Sequence, residues 1–282
     1  MYHKILAAVN EYSNSEVAAR YAVALAQVCK AHLTLMFVAP AGLEVNLIRK
    51  AEAALERLFL EAGGKKVSVE SLIRSGDPFR QINAVVREQH IDLAFAATRR
   101  EDLSRRYFLQ TLARRLILHL PCSVALVRVV HPGRIHPQQI LVPYRGRSPH
   151  PEEKAFFVGK LAQAFEAAVT LFHAPEATYG IFQGRSQPSL EPEKGVSPDI
   201  DRFMRELRQY CPSSDQRLGR GPAARAITLE AAARRNDLII MGASERGLWE
   251  SLVSGNPVEQ VLRETPCNLI VFLPRGKRPK NN

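Results

Sequence analysis

Long apolar runs are missing from this chain. A membrane-spanning helix needs about 18 consecutive apolar residues, and the longest stretches here, such as residues 91–97 with Asp92 inside, fall far short. The start, Met1-Tyr-His-Lys-Ile-Leu6, passes directly into a strand-like pattern. It has no basic segment, apolar core and small-residue cleavage site in succession, so no secretory leader is expected and a cytoplasmic location is. Cysteine is scarce: Cys29, Cys122, Cys211 and Cys267 are the only four, none in CxxC spacing and none near a histidine cluster. That excludes a disulfide scaffold, argues against zinc, and reads as buried or half-buried thiols in a reducing compartment. The signatures of common catalytic machinery are absent too. There is no GxxxxGK[ST], no GxGxxG after a strand and no GxSxG elbow, and no His-x-Gly-His in residues 10–22 or 145–157. With no placed nucleophile or general base, the chain is not expected to be an enzyme.

What is present is an ordinary globular composition with a basic excess. Of 282 residues, 46% are hydrophobic and 24% charged; 39 Lys and Arg against 28 Asp and Glu leave a net charge of +11. The length suits two domains. The charge suits anionic partners such as nucleotides, phospholipid headgroups or nucleic acid, or else a solvated basic surface.

An internal repeat organises the chain. Ser75-Gly-Asp-Pro-Phe-Arg-Gln-Ile82 aligns with Arg220-Gly-Pro-Ala-Ala-Arg-Ala-Ile227, Asp92-Leu93 with Asp237-Leu238, Leu103 with Leu248, and Pro121-Cys122 with Pro266-Cys267. All these pairs lie 145 apart, as 221 minus 76 shows for the two glycines. Nearer the front, Ile5-Leu6 matches Ile140-Leu141 and Ala31 matches Ala167, at offsets of 135 and 136. The second copy therefore carries nine or ten extra residues, which fall in the Pro/Gly/Ser-rich stretch 175–198 and suggest a loop.

Each copy alternates short apolar strands with helical patterns, such as 13–31, 77–89 and 222–235, and closes on a strand, 124–129 or 269–273. The expected fold class is α/β, with two tandem doubly wound parallel sheets of five strands. The expected division is residues 1–130, a linker 131–137, residues 138–275 and a basic tail 276–282.

In such sheets ligands bind at the carboxyl ends of the strands. In the second copy the fourth strand is expected to end at Gly242. Further on, Gly255-Asn256-Pro257 reads as a helix start, with Asn256 as N-cap, Pro257 at the first helical position and Glu259 in the first turn. Free main-chain N–H groups there attract an anion, and Gly255 lets a phosphate approach. The spacing Gly242, Glu245, Gly255, Asn256 resembles the nucleotide motif of universal stress proteins: Gly, two residues, Gly, nine residues, Gly, then Ser or Thr. Glu245 stands at the middle glycine and Asn256 at the hydroxyl residue. The family's first-strand Ile-Leu-Val-Pro-x-Asp is similar to Ile140-Leu-Val-Pro143-Tyr-Arg145, with Arg145 where the family has Asp. The resemblance spans nearly the whole chain. It implies an adenine nucleotide, ATP or AMP, held near Pro143, Arg145, Gly242, Glu245, Gly255 and Asn256, with Arg145 pairing with a phosphate or with Glu245; His173, at the end of the second strand, either lines this pocket or is structural. It also implies pairing of units through their last strands, within one chain or between two, and a regulatory role. The family's transporter-associated branch makes a membrane transporter or another protein the alternative partner.

The first copy departs further. Ala97, Arg100, Gln110 and Thr111 occupy the motif positions and Asn10 the first-strand Asp, so this copy is expected to have lost ATP binding. Its loop is rich in arginine: Arg99, Arg100, Arg105, Arg106, Arg114 and Arg115. That is either a patch for an acidic partner or a phosphate-bearing ligand, or a solvated helix face. Aromatic side chains for stacking on nucleic acid are sparse, Tyr107 and Phe108 alone, which disfavours that partner. Trp249, the single tryptophan, lies in the second copy's pocket loop with Leu248 and suits packing or a contact surface.

Overall fold

The computed structural model describes residues 1–98, 111–146, 149–173, 198–243 and 257–276. Within them the first copy runs β1 (Lys4–Val9), α1 (Ser13–Cys29), β2 (His32–Ala39), α2 (Val45–Gly64), β3 (Val69–Ser75), α3 (Pro78–Glu88), β4 (Leu93–Thr98), α4 (Leu112–His119) and β5 (Ser123–Arg128). The second runs β6 (Gln139–Pro143), α5 (Pro151–Phe165), β7 (Ala168–His173), α6 (Pro198–Arg208), β8 (Asp215–Leu218), α7 (Ala223–Ala233), β9 (Leu238–Gly242), α8 (Pro257–Glu264) and β10 (Asn268–Leu273). The last strands start and stop within a residue or two of expectation.

Local chemistry explains the boundaries. Asp77 accepts a hydrogen bond from the Arg80 N–H at 2.8 Å and Pro78 opens α3, a capped start with a preset φ. Helices α1 and α5 both end on a left-handed residue, Lys30 at φ 53° and Glu166 at φ 53°, and these two caps are repeat mates. Strands β4, β5, β9 and β10 are apolar almost throughout and buried, as parallel strands covered on both faces must be.

The two expected five-stranded sheets are joined into one. Strand order is β3-β2-β1-β4-β5-β10-β9-β6-β7-β8. Pairing is parallel within each half and antiparallel between β5 and β10, with Leu269 opposite Arg128 and Leu273 opposite Val124. The halves are thus related by a pseudo-two-fold axis through this pair, and the carboxyl ends of their strands point in opposite directions. Helices α1, α2, α5 and α6 cover one face and α3, α4, α7 and α8 the other. Near the axis the Phe157 ring stacks on Phe272 at 4.2 Å and lies 6.1 Å from Phe95 of the other half.

Polar groups lock the halves in an asymmetric way. Asn268 opens β10 and is fully buried. Its Oδ1 accepts the N–H groups of Val130 and His131, and its Nδ2 donates to the Tyr21 hydroxyl and to the carbonyls of His131 and Arg134. At the matching place Ser123 opens β5, and its Oγ accepts the Arg275 N–H. There Glu153 of α5 completes the contact. It accepts hydrogen bonds from the Tyr2 hydroxyl, the Ser123 hydroxyl and the Gly276 N–H. Burial, and then the neighbouring Glu153, push the Tyr2 hydroxyl well above its usual acidity range.

One glycine sets how closely α5 packs against the turn after α6. A Cβ at Gly159, inside α5, would lie 2.3 Å from the Cβ of Tyr210. Gly159→Val is expected to destabilise the fold by about 3 kcal/mol, since the clash is with a fixed atom beside the main chain. A urea midpoint unchanged from wild type would show that α5 and Tyr210 are not packed this closely.

Candidate functional site

Strand β6 lies between β9 and β7, so the chain leaves its carboxyl end at a switch point. Pro143 ends β6, buried and paired with Phe172. Tyr144 follows, its N–H donating to the Phe172 carbonyl and its own carbonyl 2.8 Å from His173 Nδ1. A carbonyl only accepts, so Nδ1 carries the proton and His173 holds the turn at the mouth of the crevice. Arg145 is exposed at this same end. Thus Pro143, Arg145 and His173 share one end of the sheet with Gly242, the last residue of β9. Glu245, Gly255 and Asn256 lie outside the described residues, as do Trp249 and most of the extra segment. Helix α8 does begin at Pro257, directly after Gly255-Asn256.

The residue that sequence reasoning missed is Lys154. It sits in the first turns of α5 and is 3% exposed. Its Nζ lies 4.9 Å from the centre of the Tyr144 ring and 5.8 Å from that of Phe203, and those two rings stack on each other at 4.3 Å. A Cβ added at Gly242 would meet Lys154 Nζ at 2.5 Å and Cε at 2.9 Å. Gly242, the motif glycine at the end of β9, is thus the space into which the lysine reaches. Burial alone pushes the Lys154 ammonium down from 10.5 to about 8. Burial likewise raises the Tyr144 hydroxyl to about 12, ahead of the field of Asp199. The signal for Lys154 was available: it falls on the apolar stripe with Val158, Leu161 and Phe165, where a lysine interrupts the pattern.

The first copy's crevice differs in kind. At the carboxyl ends of β1, β2 and β4 it holds about 290 Å³, lined mainly by apolar groups including Val9, Met36, Val38, Ile82 and Leu116. Its polar residues are occupied. Asn10 Oδ1 accepts the Tyr12 N–H, the Asn10 N–H meets Ser15 Oγ, and Thr111 caps α4 through the Arg114 N–H. Arg114 is buried, and burial lowers its guanidinium against the smaller opposing field of Glu259 of the second copy. Arg99, Arg100, Arg105, Arg106, Gln110, Tyr107 and Phe108 lie outside the described residues.

Cys122, Cys211 and Cys267 are buried and Cys29 half-buried, and burial raises the Cys29 thiol to about 11 and Cys267 to about 12. Among the described residues no group of His, Cys, Asp and Glu is spaced to hold a metal, and no helix is long and apolar enough to cross a membrane.

Comparison with known proteins agrees with this architecture. The model of the universal stress protein family matches twice, over residues 1–128 and 137–272. The chain therefore belongs to the universal stress protein family, as a tandem of two such units. A sequence comparison with curated proteins finds no significant match. Among solved structures, a universal stress protein from Archaeoglobus fulgidus is similar, with TM-score 0.60, 15% identity, and coverage of 99% of this chain and 97% of that one. A protein of unknown function from Pseudomonas aeruginosa is similar at TM-score 0.60 and 18% identity, covering 97% and 93%. The cytoplasmic domain of a prokaryotic cation chloride cotransporter is similar at TM-score 0.56 and 13% identity, covering 99% and 98%.

Proposed function

We propose that the chain is a cytoplasmic regulatory protein that binds one adenine nucleotide, ATP or AMP, in its second unit and performs no reaction on it. The observation that carries this reading is the contrast between the two crevices. The second has a glycine at the end of β9, a buried lysine reaching to it, and a helix that starts directly after Gly255-Asn256. The first has alanine at the matching strand position, capped polar groups and apolar walls. An anion is favoured only where charge and bare main chain converge. Isothermal titration with ATP, ADP and AMP is expected to give one site per chain, abolished by Gly255→Trp. No heat with millimolar nucleotide would refute the reading.

A second reading is a partner-binding module without a ligand. A tandem chain of this fold serves as the cytoplasmic domain of a prokaryotic cation chloride cotransporter, and the net charge of +11 suits an anionic membrane face. Recovery of the protein with a transporter from detergent extracts supports this reading; recovery always alone counts against it.

A further inference from the structure

We propose that Lys154 is the cation of an anion-binding site at the carboxyl ends of β6 and β9, where it holds a phosphate or carboxylate group of a small ligand. The inference rests on the nucleotide reading for placing a ligand in this crevice, and adds the side chain that would hold it.

Five observations support it. Lys154 is 3% exposed, yet its Nζ has neither a hydrogen bond nor an ion pair among the described residues. The rings of Tyr144 and Phe203 lie close to it, and the main chain of Gly242 runs beside its tip. Buried ammonium groups are ordinarily paired, because burial without a counter-charge is costly. The charged groups around Tyr144 do not meet that need: Asp199, Glu152 and Arg202 act on the Tyr144 hydroxyl, and Glu152 is already paired with Arg202. Burial alone accounts for the lowered acidity range of Lys154. Its neighbour Glu153, one residue away, is turned to the interface and taken up by three donors.

The repeat supplies an internal control. The residue matching Lys154, at offset 136, is Ala18, and the one matching Gly242, at offset 145, is Ala97. The small–small pair of the first unit has become a long cation facing a glycine in the second. A lysine needed only to fill space would not require glycine across from it. The pair makes sense if the ammonium group must reach the strand ends, where a ligand's anionic group lies.

Nuclear magnetic resonance of protein isotope-labelled at lysine Cε tests this, with inorganic phosphate, ATP and adenosine as probes. Saturating phosphate or ATP is expected to raise the midpoint of the Lys154 titration by about one pH unit, a tenfold preference for the charged form, while adenosine leaves it in place. ATP affinity is expected to fall about tenfold in Lys154→Met and in Gly242→Ala, whose methyl displaces the lysine tip. If phosphate moves the Lys154 signal and no nucleotide binds, the anion site stands and the nucleotide reading fails. If ATP binds wild type and Lys154→Met equally, the nucleotide reading stands and this inference is overturned. If neither anion moves the signal, this inference is overturned.

Discussion

Lys154→Met should make the protein more stable, with a gain that shrinks as pH rises. The fall of the Lys154 ammonium from 10.5 to about 8 corresponds to roughly 3 kcal/mol against burying the charge. The Tyr144 and Phe203 rings return about 1–2 kcal/mol through their faces. Methionine fits the same space with no charge to desolvate, so a net gain of about 1–2 kcal/mol is expected at pH 7. The sign follows from proton counting. Below pH 8 folded and unfolded chains both carry the proton, and the penalty is present in full. Between about 8 and 10.5 the unfolded chain binds more protons than the folded one, so wild-type stability rises towards that of the variant. Above 10.5 the charge no longer separates them. Urea midpoints of the two proteins, compared from pH 7 to 10.5, check this. A less stable methionine variant at pH 7 would mean that the lysine has a counter-charge after all. Retaining a destabilising group at the strand ends fits a ligand site, where function tolerates local cost.

The second large effect lies one residue away. Glu153→Ala should destabilise the fold by about 3 kcal/mol, since it leaves the Tyr2 hydroxyl, the Ser123 hydroxyl and the Gly276 N–H without their buried acceptor. Glu153→Gln keeps one acceptor oxygen and should lose about half as much. Because Tyr2 and Ser123 belong to the first unit and Gly276 follows β10, the alanine variant loosens the pairing of the halves. Amide hydrogen exchange should therefore quicken first in β5 and β10. Unchanged exchange there, with unchanged urea midpoint, would remove Glu153 from the lock. The repeat mate of Glu153 is Val17, so this clamp exists only where the first turn of α5 meets the first unit. That same turn carries Lys154, which ties the candidate site mechanically to the interface.

Much of this architecture is legible in the sequence because periodicity and repetition are. The offset of 145 between Gly76 and Gly221, and between Cys122 and Cys267, marks the duplication without any coordinates. Asp77-Pro78 announces a helix start through its own cap chemistry. Pairing through the last strands follows from the family resemblance, but local patterns do not encode whether it forms within one chain or between two; here β5 and β10 of the same chain pair and join the halves into one sheet. The site is only partly legible. Pro143, Arg145, His173 and Gly242 do gather at one end of the sheet, since strand ends dictate it. Sequence places Gly242 in the nucleotide motif at a strand end, but the space its missing Cβ leaves is taken by a side chain 88 positions earlier, as 242 minus 154 gives. A lone lysine in Pro151-Glu-Glu-Lys-Ala-Phe-Phe157 looks like an ordinary charged helix turn unless the apolar stripe it interrupts, with Val158, Leu161 and Phe165, is traced along the helix. Thr111, a family-motif position, is a helix cap, and Asn10 an Asx turn; neither role is visible without hydrogen-bond partners.

The asymmetry of the two units is most directly tested by photo-crosslinking with an azido-adenine analogue of ATP, followed by peptide mapping. Labelling should saturate at one per chain and map between residues 138 and 275, at the strand ends that Lys154 and Gly242 mark. Label distributed over both halves, or found in the crevice lined by Met36 and Ile82, would contradict it.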